Sequence, residues 1–241
     1  MNTTIEKTVG NMVAEDYRAA AVFESFGIDF CCQGNKTIDE VCETKGINKS
    51  SLLLDLGTAL QLENNTLTDY NAWPINLLAD YIEKRHHKYV EDKTPALKQY
   101  IEKICSVHGQ KHAELFQIKD LFNRSARELA AHMKKEELML FPFIRKMMHA
   151  KEKNISIENA HFGSVQNPIQ MMMHEHDTEG ENFRKINALS ANYNAPADAC
   201  NTYKVTFALL KEFEADLHLH IHLENNILFP KAVELEKQLF S

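Results

Sequence analysis

Apolar positions along this chain recur at helical spacing, and sustained alternation of apolar and polar residues is scarce. AEDYRAAAVFESFG predicts a helix stopped by Gly27. TIDEVCETKG opens with a capping box, Thr37 with Glu40 three residues on, and closes at Gly46. NKSSLLLDLGTALQLE predicts a third short helix. The polar stretch NNTLTDYNAWP reads as a linker and places a boundary near residue 70. Beyond Pro74 the periodic segments lengthen. PINLLADYIEKRHHKYVED predicts one helix, and Thr94-Pro95 the start or restart of a helix through Cys105. HAELFQIKDLFNRSARELAAHMKKEELMLFPFIRKMMHA predicts another, bent at Pro142. Residues 150–166 read as a loop, and Asn167-Pro168 opens the segment PIQMMMHEHDTEGENFRKINAL. A last helix is expected from near Pro196 towards Leu239, bent at Pro230. The expected fold is all-α: a small three-helix N-terminal domain over 1–68 and a four-helix bundle over 74–241.

The stripes on the long helices carry ionisable groups where an ordinary bundle would carry only apolar ones. Leu78, Ile82, His86 and Val90 share one stripe, and Met172, His176, Gly180 and Phe183 another. Glu128, His132, Glu136 and Leu140 form a third, and Asp216, His220, Glu224 and Leu228 a fourth. The last two belong to one phrase written twice, HMKKEELMLFP from His132 and HIHLENNILFP from His220. A His and a Glu four apart project from one helix face. His86 precedes His132 by 46 residues and His176 precedes His220 by 44. Two copies of a two-helix unit, each giving one lone His and one H-x-x-x-E, would bring four His and two Glu around one point.

Buried carboxylates need a partner, and imidazole nitrogen with carboxylate oxygen suits non-haem iron better than a thiolate-seeking metal. Two octahedral ions offer roughly 12 coordination positions. Four His bonds, two bridging Glu and an oxo or hydroxo bridge leave about one position per ion for a small molecule. His86, His132, Glu136, His176, His220 and Glu224 are therefore the expected metal ligands of a di-iron centre. His108, near a helix end, is open as a spare ligand or supporting group. His87 and His174 fall on other faces and read as rim. His222 has no counterpart in the other copy and leaves the ligand set.

Composition narrows the setting. The net charge of −7 argues against nucleic acid, which needs a clustered basic face. No apolar run approaches the ~18 residues that span a bilayer, and the N-terminus lacks a secretory apolar core. Five Cys at positions without disulfide-rich spacing fit a reducing compartment, so a cytoplasmic location is expected.

DFCCQGNKTIDEVC, PIQMMMHEHDTEG and HIHLENNILFP together resemble the repair-of-iron-centres family, in which a hemerythrin-like di-iron bundle follows a small N-terminal domain. The resemblance implies a cytosolic, stress-induced protein that restores iron–sulfur clusters damaged by nitric oxide or peroxide, by delivering iron. It also carries an alternative, nitric oxide reduction at the same pair of iron ions; sensing of O2 or NO there is a further alternative that the ligand set itself allows. The partners implied are damaged iron–sulfur proteins and NO or O2, with a homodimer left open. Carried over by position, the ligands are the six named above, and Glu128 and Glu175 match acidic residues of an inner channel. The first helix departs from the pattern with two adjacent His; His86 is preferred because Ile82 and Val90 share its stripe, and His87 stays open.

Cys31 and Cys32 precede Gly34. A vicinal disulfide strains the peptide between its residues, so the readings are two structural thiols, a redox pair, a docking point for a damaged cluster or NO-reactive thiols. Cys42, Cys105 and Cys200 read as structural.

Overall fold

The computed structural model describes residues 7–61 and 68–240, so part of the expected linker lies outside the described residues. Among the described residues the N-terminal domain is helical but carries four short helices where three were expected: α1 (Val9–Glu15), α2 (Arg18–Ser25), α3 (Ile38–Lys45) and α4 (Lys49–Gln61). The segment predicted as one helix from Ala14 breaks at Asp16. Asp16 is extended, caps α1 through its backbone N–H to the Met12 carbonyl, and accepts from Arg18 N at 3.0 Å. The capping box of α3 forms as expected. Thr37 Oγ1 accepts from Glu40 N at 3.2 Å, Glu40 Oε2 accepts from Thr37 N at 2.7 Å, and Gly46 ends the helix in the left-handed region.

Four rods make the bundle. The first runs through α5 (Ile75–Tyr81), a π-helical turn (Ile82–His87) and α6 (Lys88–His108). The second is α7 (Glu114–Lys135), a π turn (Glu136–Leu140) and α8 (Phe141–Lys153). The third is α9 (Gln166–Leu189) alone. The fourth is α10 (Asn201–Leu223), a π turn (Glu224–Leu228) and α11 (Phe229–Phe240). Around the bundle α6 adjoins α7, α7 adjoins α9, α9 adjoins α10, and α10 returns to α6. The helix expected to restart at Thr94-Pro95 runs on unbroken, with Thr94 Oγ1 donating to the Val90 carbonyl at 2.7 Å.

The bends expected at Pro142 and Pro230 take the form of π turns. In each, the Phe before the Pro donates five residues back, Phe141 to the Glu136 carbonyl and Phe229 to the Glu224 carbonyl. A proline cannot donate to the carbonyl four residues behind it and crowds that carbonyl. One extra residue in the turn accommodates the mismatch. Leu-Phe-Pro therefore ends a wide turn that begins at the Glu of each doubled phrase.

Two apolar clusters flank a polar layer. One joins Val90, Leu129, Phe183 and Phe213 of the bundle to Phe23, Phe30 and Leu52 of the N-terminal domain. The other holds Leu78, Ile82, Leu140, Ile144, Met172 and Leu228. The histidines and glutamates of the stripes lie between them. Among the described residues no helix is long and apolar enough to cross a membrane.

Candidate metal centre

Two ligand sets form in this layer. His87, Glu136, His220 and Glu224 bring their donor atoms within 4.8 Å of one another, and so do His132, Glu136, His176 and Glu224. Glu136 and Glu224 belong to both. Glu136 Oε2 lies 3.3 Å from His87 Nε2 and 3.4 Å from His132 Nε2. Glu224 reaches the two sets with different oxygens, Oε1 at 3.0 Å from His220 Nε2 and Oε2 at 3.1 Å from His176 Nε2. His132 and His176 approach at Nε2 to 3.1 Å. Both Glu are 0% exposed.

His86, expected as a ligand, joins neither set, and His87 stands in its place. The π turn over Ile82–His87 inserts one residue between Ile82 and the next inward position. The i+4 stripe that selects His86 therefore fails, and His87 takes the place. His87 also stands 45 residues before His132, nearer to the 44 between His176 and His220. His86 is buried in a supporting position. Its Nδ1 donates to Asp216 Oδ2 at 3.1 Å and its ring stacks on that of His220, centroids 5.5 Å apart. His108, open as a spare ligand, ends α6 against Tyr203 and His112 and joins neither set. Some 21 residues of helix, about 30 Å, separate it from His87.

Three of the four imidazoles are fixed through their outer nitrogens. His87 Nδ1 donates to Glu137 Oε1 at 3.0 Å, His132 Nδ1 to Glu175 Oε2 at 2.8 Å, and His176 Nδ1 to Asn225 Oδ1 at 2.8 Å. Each bond favours the proton on the outer nitrogen, so that Nε2 would present its lone pair inward once an ion displaces any proton there, the tautomer a metal requires. Glu137 and Asn225 occupy the same place in the two phrases, directly after the shared Glu. The repeat thus encodes the orienting partner as well as the ligand, a signal present in the sequence but unread there. His222 lies outside both sets, buried between Tyr17 and Phe30, and burial lowers its pKa to about 3.

Burial works to raise both Glu and to lower the His, but mutual contact wins at most of them. His132 is held up at about 10 by Glu136 and Glu175 in spite of burial. Glu224 is driven well below the usual carboxylate range by His220 and His176. Both oxygens of Glu136 and Oε2 of Glu224 still lack a hydrogen-bond partner. Orphaned buried carboxylate oxygens are costly, and divalent ions would satisfy them. All donors are nitrogen or oxygen, which fits iron or manganese and disfavours a thiophilic ion.

A cavity of about 310 Å3 opens from the surface onto His132 and His176, with Glu128, Glu175, Lys135 and Glu179 in its wall. Glu175 pairs with Lys135 and His132, and His132 first among them lowers it to about 2. Glu128 is exposed at the cavity and touches neither set. Glu179, which no sequence pattern singles out, is 3% exposed, and neither of its oxygens has a hydrogen-bond partner.

The N-terminal domain reaches the centre through one loop. Cys31 is buried and Cys32 partly so, their sulfurs 3.7 Å apart and unbonded. Cys32 Sγ donates to the His176 carbonyl at 3.3 Å, and Asn225 Nδ2 donates to the Cys31 carbonyl at 3.1 Å. Cys200, expected to be structural, is exposed at the N-cap of α10, where backbone N–H groups and His108 lower its thiol to about 7.

Comparisons with known proteins agree with this arrangement. The hemerythrin HHE cation binding domain matches residues 79–232, and ScdA_N, a domain of unknown function, matches residues 5–60. The chain is 34% identical to an iron-sulfur cluster repair protein YtfE of Musicola paradisiaca, over 96% of this chain and 98% of the relative. It is 31% identical to the YtfE of Yersinia pestis, over 95% of this chain and 98% of the relative. With the iron-sulfur cluster repair protein ScdA of Staphylococcus haemolyticus it shares 28% identity over the same shares of the two chains.

Proposed function

The chain belongs to the family of the iron-sulfur cluster repair proteins YtfE and ScdA, a hemerythrin HHE bundle behind a ScdA_N domain, and from that premise we propose that its two ligand sets hold a pair of iron ions used to repair damaged iron–sulfur clusters in the cytoplasm. The observation that carries this reading is the pair of fully buried glutamates, each facing both histidine sets with oxygens left unsatisfied. Iron bound there would supply an exchangeable cargo and a redox centre in one place.

The protein's own residues divide the labour. Glu136 and Glu224 join the sets, so an ion in one site would favour loading of the other. Glu137, Glu175 and Asn225 hold His87, His132 and His176 with Nε2 inward. Apolar clusters flank the layer, and the cavity meets His132 and His176 but neither His87 nor His220. The ion on the His132 side is accordingly the one supplied to a client. Glu175 and Lys135 line its way out and carry opposite charge, so a departing cation meets a carboxylate already ionised.

The same cavity supports a second reading. An opening onto one ligand set suits entry of a small uncharged molecule, so reduction or sensing of NO or O2 is the alternative activity. One experiment separates the two. Iron-loaded protein is mixed with an enzyme whose [4Fe–4S] cluster has been damaged by nitric oxide. Recovery beyond that given by free iron and reductant supports supply. Catalytic conversion of NO to N2O by the reduced protein, without iron loss or cluster recovery, supports the alternative.

A further inference from the structure

We propose that Asp29, Cys31 and Cys32 form a second metal site, of thiolate character, where the N-terminal domain meets the bundle. It takes a single tetrahedral ion of the zinc or ferrous class. The three residues bring their ligand atoms within 4.8 Å of one another. The two sulfurs stand 3.7 Å apart. A tetrahedral ion with bonds of ~2.3 Å to each of two thiolates separates them by about 3.8 Å, so the pair is spaced for an ion and not for a disulfide. Cys31 Sγ lies 3.3 Å from Asp29 Oδ1, which supplies the third ligand. A fourth position stays open, as in sites that exchange their ion or bind a substrate.

Asp29 is held ready for this. Its Oδ1 accepts from the backbone N–H of Cys31 at 3.1 Å, of Cys32 at 2.9 Å and of Gln33 at 3.4 Å. Its Oδ2 accepts from Arg184 at 2.6 Å. These bonds fix the carboxylate beside the sulfurs, and its position towards them is taken by the Cys31 thiol, which an ion would replace as that thiol loses its proton. A turn capped by Asp29 needs no sulfur, yet both thiols sit on the same carboxylate side. Gly180 of α9 leaves the room: a Cβ there would stand 3.0 Å from Cys32 Sγ. A cavity of about 420 Å3, bordered by Asp29, Cys31, Arg184 and His218, gives the ion a path.

Charge closes around an ion. Two thiolates and Asp29 carry three negative charges, which a divalent cation and Arg184 neutralise. With no ion present the same crowding opposes ionisation: the Cys31 thiol is pushed well up by its contact with Cys32, by burial and by Asp29. Binding replaces the Cys31 thiol's contact with Asp29 and the Cys32 thiol's bond to the His176 carbonyl by two sulfur–metal bonds, the displaced thiol protons passing to solvent. The His176 carbonyl then loses the Cys32 donor, which ties occupancy here to a residue of the main centre.

Cobalt(II) is the probe, titrated into the reduced, metal-free full chain. The site gives thiolate-to-cobalt charge-transfer absorption whose amplitude levels off at one thiolate-bound cobalt per chain. Cys31→Ser and Cys32→Ser abolish the absorption, while His132→Ala keeps it. Absence of the absorption at saturation overturns the proposal, as does its survival in Cys31→Ser. Because a Cys31 variant can lose its fold, the unchanged chain supplies a second readout: saturating cobalt slows alkylation of Cys32 at least tenfold, and an unchanged rate overturns the site. Since His132→Ala removes only the histidine centre, failure of the iron reading and failure of this one give different results. Competition by ferrous and by zinc ions then tells which of the two the site prefers.

Discussion

His176 donates from Nδ1 to Asn225 Oδ1 at 2.8 Å, and the other end of that amide donates to the Cys31 carbonyl at 3.1 Å. One side chain thus orients a ligand of the centre and anchors the N-terminal loop. Replacing Asn225 with Ala should weaken metal retention ~10–100-fold. The rate of iron loss to a chelator measures it. The same variant should make Cys32 more accessible to alkylation, whereas an unchanged rate at both would show that the amide serves neither end.

His87→Ala should leave roughly half of the bound iron or less, because it removes a ligand from a site that shares both carboxylates. His86→Ala should retain most of it, with at most the ~10–100-fold affinity loss of a supporting group. Iron per chain after anaerobic loading distinguishes the two. Equal loss in both variants would mean that the π turn does not set the register.

Glu179 gives the pH dependence. Burial first, then the Glu128 carboxylate, raise it from 4.5 to about 7 against a pull down from Ser125. A raised folded pKa means the native state holds the proton more tightly than the unfolded chain. The cost of ionising Glu179 is absent below about 4.5, builds as pH rises, and is complete above about 7. Glu179→Gln should therefore stabilise the metal-free protein by up to about 3 kcal/mol at pH 8 and by little at pH 4.5. Urea unfolding at the two pH values checks it.

Gly34→Ala should cost about 1–3 kcal/mol. An added Cβ would stand 2.4 Å from the Phe30 carbonyl oxygen and 2.9 Å from Asn226 Oδ1 and from the Gly10 Cα. Two of those neighbours are backbone and cannot rotate aside. Thermal unfolding of the full chain reports the loss.

Cys200 should be the fastest of the exposed or half-exposed thiols towards iodoacetamide. Its rate should rise with pH through about 7 and level off above, since the thiolate is the nucleophile. Peptide mapping after brief alkylation at stepped pH tests this.

Much of the plan was legible because it is written twice. His132, Glu136, His220 and Glu224 announce themselves through the repeat, and His176 through its matching interval. The helix ends at Gly46 and near Pro168 follow local chemistry that needs no tertiary information. What escaped depended on register. A 3.6-residue period carried through Arg85 selects His86, and only a non-local cause, the wide turn over Ile82–His87, moves the choice to His87. The break at Asp16 was hidden because its apolar flanks keep helical phase on both sides. Glu179 was silent because a glutamate on a helix reads as solvated until α7 packs against α9.

The ownership of the ligands has a further consequence. Each set draws one histidine from the first two rods and one from the last two, His87 with His220 and His132 with His176, and both glutamates are held in common. Neither half of the chain can assemble even one set from its own residues. Metal bound here would act as a clasp between two hairpins of helices, and the free energy of loading would also be the free energy of holding the halves together. Release of that metal would loosen the seam.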